Sequence, residues 1–423
     1  MKRLVIIIYM CLSACVGTWA QDSIFVDAHL KTLIHEALQQ NSDIRVAALN
    51  VKQASAMMKS AKLTYLPSFA FSPSGTLSKA QGSSWTKTYS LPLTMEWELL
   101  LGGGQKGEKQ MATAQWMQAQ EELRHLQVQL IAEVANSYYT LVMLDRQLDI
   151  TQESIRNQES NLNAIRAYME VGQMDALAVN QANAALQATK TSLTDLELQR
   201  TKVETALSLL LNREASHIER SAWEEVQTIS LDPSAPIELQ QLSSRPDVRS
   251  AEYALAAACG NAKVTQSALY PSLRISADAG WTNNLGQIIN PGKLLLNLIG
   301  SLTQPIFSRG KLLAQKKVAD AQREQAEISF EKALLTAGSE VKDALEECAS
   351  CQRREPLRTQ QVEASQKAYE DCQALLQYSQ SVTYLDVLTA QSSLLTAQLQ
   401  QSADWLEQQQ ALINLYKAMC PAS

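Results

Sequence analysis

Histidine is scarce, with only His29, His35, His125 and His217 in 423 residues. HExxH and GxSxG are absent, and no pair of acids clusters in a predicted pocket, so zinc and serine hydrolases lack their parts here. No catalytic residue, metal ligand or cofactor is expected. No GK[ST] follows Leu101-Gly102-Gly103-Gly104, and these glycines lack the dinucleotide spacing, which excludes a phosphate loop. A basic stripe is also missing. Of 37 basic and 43 acidic side chains, loss of Lys2 and Arg3 with a leader leaves 35 against 43, a net charge of −8. Nucleic acid is therefore not an expected partner.

The apolar run Leu4 to Met10 is too short to span a bilayer as a helix. With Lys2 and Arg3 before it and Thr18-Trp19-Ala20 before Gln21, residues 1–20 read as a secretory leader, and the mature chain as exported. Leu12-Ser13-Ala14-Cys15 also fits a lipoprotein signal, in which Cys15 would be acylated. Cys259, Cys348, Cys351, Cys372 and Cys420 follow the leader, an odd number, so at least one is free or paired between chains. Cys348 and Cys351 form a CxxC in a helix interior without nearby histidines, which reads as small apolar helix residues rather than a metal or redox pair.

Glycine and proline are missing from the stretch after Gly107 up to Glu170, and apolar residues recur at helical spacing throughout it. One helix of that length would be roughly 95 Å long. Leu141, Leu148, Ile155, Leu162 and Met169 recur in sevens, the spacing of helices that lie against other helices. A break at Val171-Gly172-Gln173 leads into a second helix, Met174 to Asn212, with Leu186, Leu193 and Leu207, and Leu196, Val203 and Leu210, also in sevens. The pair is a helical hairpin. Upstream, Leu30 to Leu63 reads as one amphipathic helix stopped by Pro67.

Between these helices the period switches to two. Residues 68–77 alternate, and residues 85–98 alternate most cleanly, with Trp85, Lys87, Tyr89, Leu91, Leu93, Met95 and Trp97 on one side. Fourteen such residues at about 3.3 Å each reach roughly 46 Å, enough for a tilted membrane-crossing strand. After a connector at residues 212–239 the chain begins again. Asp247-Val248-Arg249 matches Asp43-Ile44-Arg45, and Tyr270-Pro271-Ser272 matches Leu66-Pro67-Ser68, both displaced by 204 positions. The second copy, residues 240–420, supplies strands at 272–282 and 294–305 and a hairpin at 310–418. Pro356 is expected to kink its first arm, and Leu385, Leu399, Leu406 and Ile413 give its second arm a seam in sevens. The first copy occupies residues 21–211, with its hairpin at 107–211.

The fold class is thus mainly α with membrane β, a duplicated strand-strand-hairpin unit. Four strands cannot close in lipid, and open edges would leave backbone groups unpaired. Three copies would give a twelve-stranded barrel, continued by a long periplasmic α-barrel. A coiled-coil scaffold would explain the heptads but not four alternating strands set twice in one order, and a periplasmic adaptor normally has one hairpin amid soluble β domains.

Tyr384-Leu385-Asp386-Val387-Leu388-Thr389-Ala390-Gln391, Tyr270-Pro271-Ser272, and Gln304-Pro305-Ile306-Phe307 before Arg309-Gly310 resemble the TolC-type outer-membrane efflux family. The likeness extends over nearly all of the mature chain. It implies a homotrimeric exit duct that joins an inner-membrane pump through a periplasmic adaptor. Ser379 stands where the family's second turn usually has glycine, and Leu99-Leu100-Leu101-Gly102 replaces its Pro-x-Phe pattern.

On this reading Tyr89, Leu91, Leu93, Met95, Trp97, Leu273, Ile275 and Trp281 face outer-membrane lipid. Val171, Gly172, Gln173 and Met174 at one turn, with Ser379, Gln380, Ser381 and Val382 at the other, form the adaptor-docking rim. Glu370 and Asp371 are the candidate gate. Asp371 shares a stripe with Ala364, Ala368 and Leu375, and Glu370 one with Glu363, Lys367 and Gln377. Nothing in the residues names the cargo.

Overall fold

The computed structural model describes residues 24–79, 81–82, 85–172, 174–229, 239–282, 293–378 and 382–419. The leader with Cys15, the turn residues Gln173, Ser379, Gln380 and Ser381, and Cys420 lie outside them. In chain order the elements are α1 (Ala28–Gln40), α2 (Ser42–Leu63), β1 (Ser68–Phe71), β2 (Ser74–Ser78), β3 (Thr86–Leu100), α3 (Gly104–Glu170) and α4 (Ala176–Leu210). They continue as α5 (Leu239–Ser244), α6 (Pro246–Ser267), β4 (Ser272–Thr282), β5 (Lys293–Thr303), α7 (Lys311–Tyr378) and α8 (Tyr384–Met419). Helices α2 and α6 keep the displacement of 204 positions at both ends.

Several bounds differ from the sequence expectation, each for a local reason. The single helix expected from Leu30 to Leu63 is two, divided at Asn41. Its Oδ1 accepts from the backbone N–H of Asp43 at 2.9 Å and of Ile44 at 3.2 Å, capping α2, while its Nδ2 donates to the Leu210 carbonyl at 2.9 Å. The strand expected at 68–77 is divided into β1 and β2 at Ser72-Pro73, where proline has no N–H to give the ladder. Strand β3 runs two residues past Glu98, and β5 ends at Thr303 rather than Pro305. Pro356 lies inside α7 without dividing it.

The chain forms two compact units, and each draws on both halves of the sequence. The first comprises Met1–Val46, Arg124–Pro246 and Leu334–Ser423. Its core follows the heptads: Leu141, Leu148, Ile155 and Leu162 of α3 are buried, as are Leu186, Leu196 and Leu207 of α4. Met169, the last of the α3 series, is instead exposed, and so is Leu385 at the head of the α8 series. Tyr384 and Val387 take the buried positions there. Cys348 and Cys351 pack with Val341, Ala344, Ala411, Leu415 and Ala418, and burial pushes the Cys348 thiol up to about 11. Both thiols are buried among apolar helix residues.

The connector closes over this core. Arg220, 6% exposed, donates to Asp145 at 2.5 and 2.9 Å, to Glu204 at 2.8 Å and to the Ile218 carbonyl at 2.8 Å. Burial works against its charge, and the two carboxylates more than offset that, so its pKa lies above the ordinary value. Trp223 packs on Trp405 with ring centroids 4.6 Å apart.

The second unit comprises Ala47–Leu123 and Asp247–Ala333 and holds the sheet. All pairings are antiparallel, in the order β1-β3-β4-β5, with β2 also on β3. Because β1 pairs with Leu93 to Glu96 and β2 with Thr86 to Ser90, the two short strands occupy one position end to end. Four strand positions result. Beside the sheet, α3 and α6 cross closely: a Cβ on Gly107 would come within 2.9 Å of the Gly260 carbonyl, and one on Gly260 within 2.7 Å of the Met111 nitrogen.

Candidate functional site

Directly opposed residues of an antiparallel pair project to the same face, so the register sorts every side chain of the sheet. Phe69 opposes Met95 and Phe71 opposes Leu93; Leu93 opposes Ala279, and Ala279 opposes Leu296. Trp97 opposes Ile275, Leu91 opposes Trp281, and Leu99 opposes Leu273. Tyr89 lies opposite Gly75. All eight residues named from sequence as lipid-facing therefore share one face, and Phe69, Phe71, Leu77, Leu296, Leu298 and Leu302 join them. Phe69, Leu296, Leu298 and Leu302 are 66%, 72%, 76% and 66% exposed, a contiguous apolar surface that water would not tolerate without a partner.

The opposite face is polar. Arg274 pairs with Glu96 at 3.1 Å, Asn297 donates to Asp278 at 2.9 Å, and the Thr94 hydroxyl donates to the Ala70 carbonyl at 3.1 Å. Ser68, Ser90, Ser276, Ser301 and Thr303 carry the same parity. Ala70, Pro92, Leu100 and Ile299 are apolar members of this face by register.

At the turn between α3 and α4, Gly172 has φ +75° and Val171 is exposed, while Met174 packs beside Ile165 and Leu186. Glycine takes that backbone at no steric cost. At the other turn Val382 packs near Tyr369 and Val387. Next to it, the Asp386 carboxylate accepts from the Thr383 hydroxyl at 2.6 Å and from the Thr383 N–H at 2.8 Å, bonds that tie down the start of α8 and lower the Asp386 pKa.

Tyr384, part of the stretch that carries the family resemblance, packs against Ile155, Leu162, Ile165, Ala182 and Leu186. Its ring thereby joins α8 to the first hairpin. Burial pushes its phenol up to about 12. Periodicity alone pointed to Leu385, its neighbour.

Glu370 and Asp371 are both exposed, near the C-terminus of α7. Glu370 accepts from Gln366 at 2.7 Å. Ala364, Ala368 and Leu375 are exposed with Asp371, while Tyr369, Cys372 and Leu376 turn inward against Val387 and Leu394. Both carboxylates thus lie away from the face that α7 packs on α8.

Among the described residues no helix is long and apolar enough to cross a membrane. A family model described as outer membrane efflux protein matches residues 33–213 and 239–420. The chain belongs to the outer membrane efflux protein family. The cation efflux system protein CusC of Escherichia coli (strain K12) is 27% identical over 379 residues, 88% of this chain and 81% of CusC. The toluene efflux pump outer membrane protein TtgF of Pseudomonas putida is 29% identical over 405 residues, 93% of this chain and 84% of TtgF. A crystal structure of CusC matches with a TM-score of 0.86 at 26% identity, over 96% of this chain and 95% of that one. This efflux protein is accordingly a channel of the outer membrane, and its relatives are ducts rather than enzymes.

Proposed function

We propose that three copies of the chain close one barrel and form the exit duct of a tripartite pump. The observation that carries this reading is the sheet. It has one face that is apolar between Tyr89 and Leu99, with Lys87 at its loop end, and its two outer edges are the β1/β2 row and β5. An edge in hydrocarbon leaves unpaired backbone groups, each costing several kcal/mol, so closure must come from further copies. Three copies of four strand positions give twelve strands, an even number within the range of outer-membrane barrels.

In this assembly Tyr89, Leu91, Leu93, Met95, Trp97, Leu273, Ile275 and Trp281 meet lipid, and the face with Ser90, Thr94 and Asp278 lines the lumen. The helical turns at Val171 to Met174 and Ser379 to Val382 form the periplasmic rim that meets an adaptor, which links the duct to an inner-membrane pump. Glu370 or Asp371 narrows the tunnel near that rim. Cys15 is the alternative anchor, should the leader be cleaved before it. CusC and TtgF are named for cations and for toluene at nearly equal identity to this chain, so overall likeness selects neither cargo.

The test is assembly and conduction of the full-length protein. Outer membranes should retain it through a high-salt wash and release it in detergent as a trimer that conducts in a planar bilayer. Release by salt as a non-conducting monomer would overturn the proposal.

A further inference from the structure

Charge on the apolar face of the sheet is confined to one end and one sign. Lys87 opposes Leu77, which puts it on the apolar side, and Lys79 follows β2 on the same parity with its Nζ 5.6 Å from the centroid of the Trp85 ring. Lys79, Trp85 and Lys87 are all exposed. This is the loop end of the strands. The other end, where β3 leads into α3, carries Trp97, Leu99 and Leu273 on that face, and the described strands place no lysine, arginine or carboxylate beside them there. Residues 75–95 and 279–296 contain Lys79, Lys87 and Lys293 and not one aspartate or glutamate.

Lys87 stands two residues beyond Tyr89, about 7 Å further along the strand. Tyr89 and Trp281 mark the level of an interfacial aromatic girdle, which places the ammonium groups among headgroups. Toward the middle of the same face, Ala277 and Ala279 lie between the larger rows Leu93 and Met95 and Leu296 and Leu298. They leave an apolar depression of about 360 Å3.

From this we propose that Lys79 and Lys87, with Trp85, bind a phosphate-bearing lipid of the outer leaflet, whose acyl chain lies in the Ala277 and Ala279 depression. The proposal rests on the membrane reading above, because it needs the apolar face to meet lipid and the loop end to face outward. Two ammonium groups, in segments whose sequence holds no aspartate or glutamate, match a phosphorylated sugar headgroup, and the girdle indoles hold its apolar edge.

The full-length protein in detergent would be titrated with a bisphosphorylated acylated diglucosamine, with its dephosphorylated counterpart, and with inorganic phosphate, and lipid retention read by native mass spectrometry. Expected is about tenfold tighter retention of the bisphosphorylated lipid than of the dephosphorylated one, with inorganic phosphate unable to displace it. Lys79→Gln with Lys87→Gln should remove that preference, and Lys79→Arg with Lys87→Arg should keep it. Equal retention of both lipids, displacement by inorganic phosphate, or an unchanged preference in the glutamine variant would each overturn the proposal. Salt-resistant membrane retention of the same preparations reports the barrel separately: a protein that stays in the membrane but ignores phosphate sinks only the headgroup site.

Discussion

Tyr138 donates its hydroxyl to the Asp27 carboxylate at 2.8 Å, joining residues 111 positions apart inside one core. The same carboxylate caps α1 by accepting from the N–H of His29 and Leu30, and the same phenol oxygen accepts from the Ser221 N–H at 3.1 Å. One short chain of bonds therefore fixes the start of α1, the middle of α3 and the connector.

Removing the phenol tests that arrangement. Tyr138→Phe leaves the half-buried Ser221 N–H without this acceptor and takes one donor from the buried Asp27, which should cost about 2 kcal/mol of stability. Burial pushes the Tyr138 phenol up to about 12 from an ordinary 10.0. A raised pKa contributes stability that is whole below the unfolded value and is lost as pH rises through the folded one, here between pH 10 and 12. Tyr384, also near 12, adds to the same decline, so Tyr138→Phe should flatten it rather than abolish it. Denaturant melts at pH 8 to 12 read both effects, and an equally steep decline in the variant would exclude Tyr138 as a contributor.

Facing in the sheet gives the second expectation. Leu93 and Thr94 are adjacent in β3, yet the register sends them to opposite faces. Leu93→Arg should cost about 2–4 kcal/mol at a lipid-facing midplane site and deplete assembled protein. Thr94→Arg, on the polar face, should assemble. Comparable yields of both variants in outer-membrane fractions would mean the faces are assigned the wrong way.

Strand packing gives the third. A Cβ on Gly280 would lie 2.5 Å from the Leu91 carbonyl oxygen and 2.7 Å from the Pro92 Cα, both backbone atoms that cannot swing aside. On Gly300 it would meet nothing within 4 Å. Gly280→Ala should therefore cost about 1–3 kcal/mol and Gly300→Ala under about 1. Thermal stability in detergent reads the difference, and equal melting points would show that β3 and β4 separate more easily than this contact implies.

How far the sequence could be read depended on how local the cause was. Period two in β3 and β4 sorted Leu91, Leu93, Ile275 and Trp281 onto one face because alternation is a property of neighbouring residues. Heptads likewise found Leu141, Leu148 and Leu207. Asn41 was legible in kind, since asparagine is a helix cap, but the surrounding apolar positions read through it as one helix. Pro73 was masked in the same way by alternation on both sides. Arg220 had no local signal at all: its partners Asp145 and Glu204 lie 75 and 16 positions away, and only the folded hairpin brings them together. Tyr384 was picked out by resemblance, and its burial against α3 and α4 gives the physical reason for an aromatic at that position.

The turns supply a fourth expectation. Gly172 at φ +75° has no atom within 4 Å of a would-be Cβ, so a side chain there is strained only through the backbone. Gly172→Asn, which tolerates the left-handed region, should export normally and control for that strain. Gly172→Asp and Ser381→Asp should block export while leaving assembled protein in the membrane, because each would place a carboxylate on the proposed adaptor-docking rim. Full export from both aspartate variants would remove these turns from the docking surface.

A duct that is always open would leak across the outer membrane, so the tunnel should narrow where the helices end. Glu370 and Asp371 lie within about two turns of the end of α7, exposed and away from the face buried against α8. In a trimer one carboxylate becomes a ring of three, which favours cations and can be held closed by neighbouring helices. The two residues differ in surroundings: Glu370 accepts from Gln366 at 2.7 Å on a polar stripe, whereas Asp371 lies among Ala364, Ala368 and Leu375, side chains small or apolar enough to approach a symmetry axis. Asp371→Ala should therefore raise single-channel conductance or weaken cation selectivity in a planar bilayer more than Glu370→Ala does. A larger effect at Glu370 would turn the polar stripe inward instead, and unchanged conductance and selectivity in both variants would make these carboxylates ordinary surface charge.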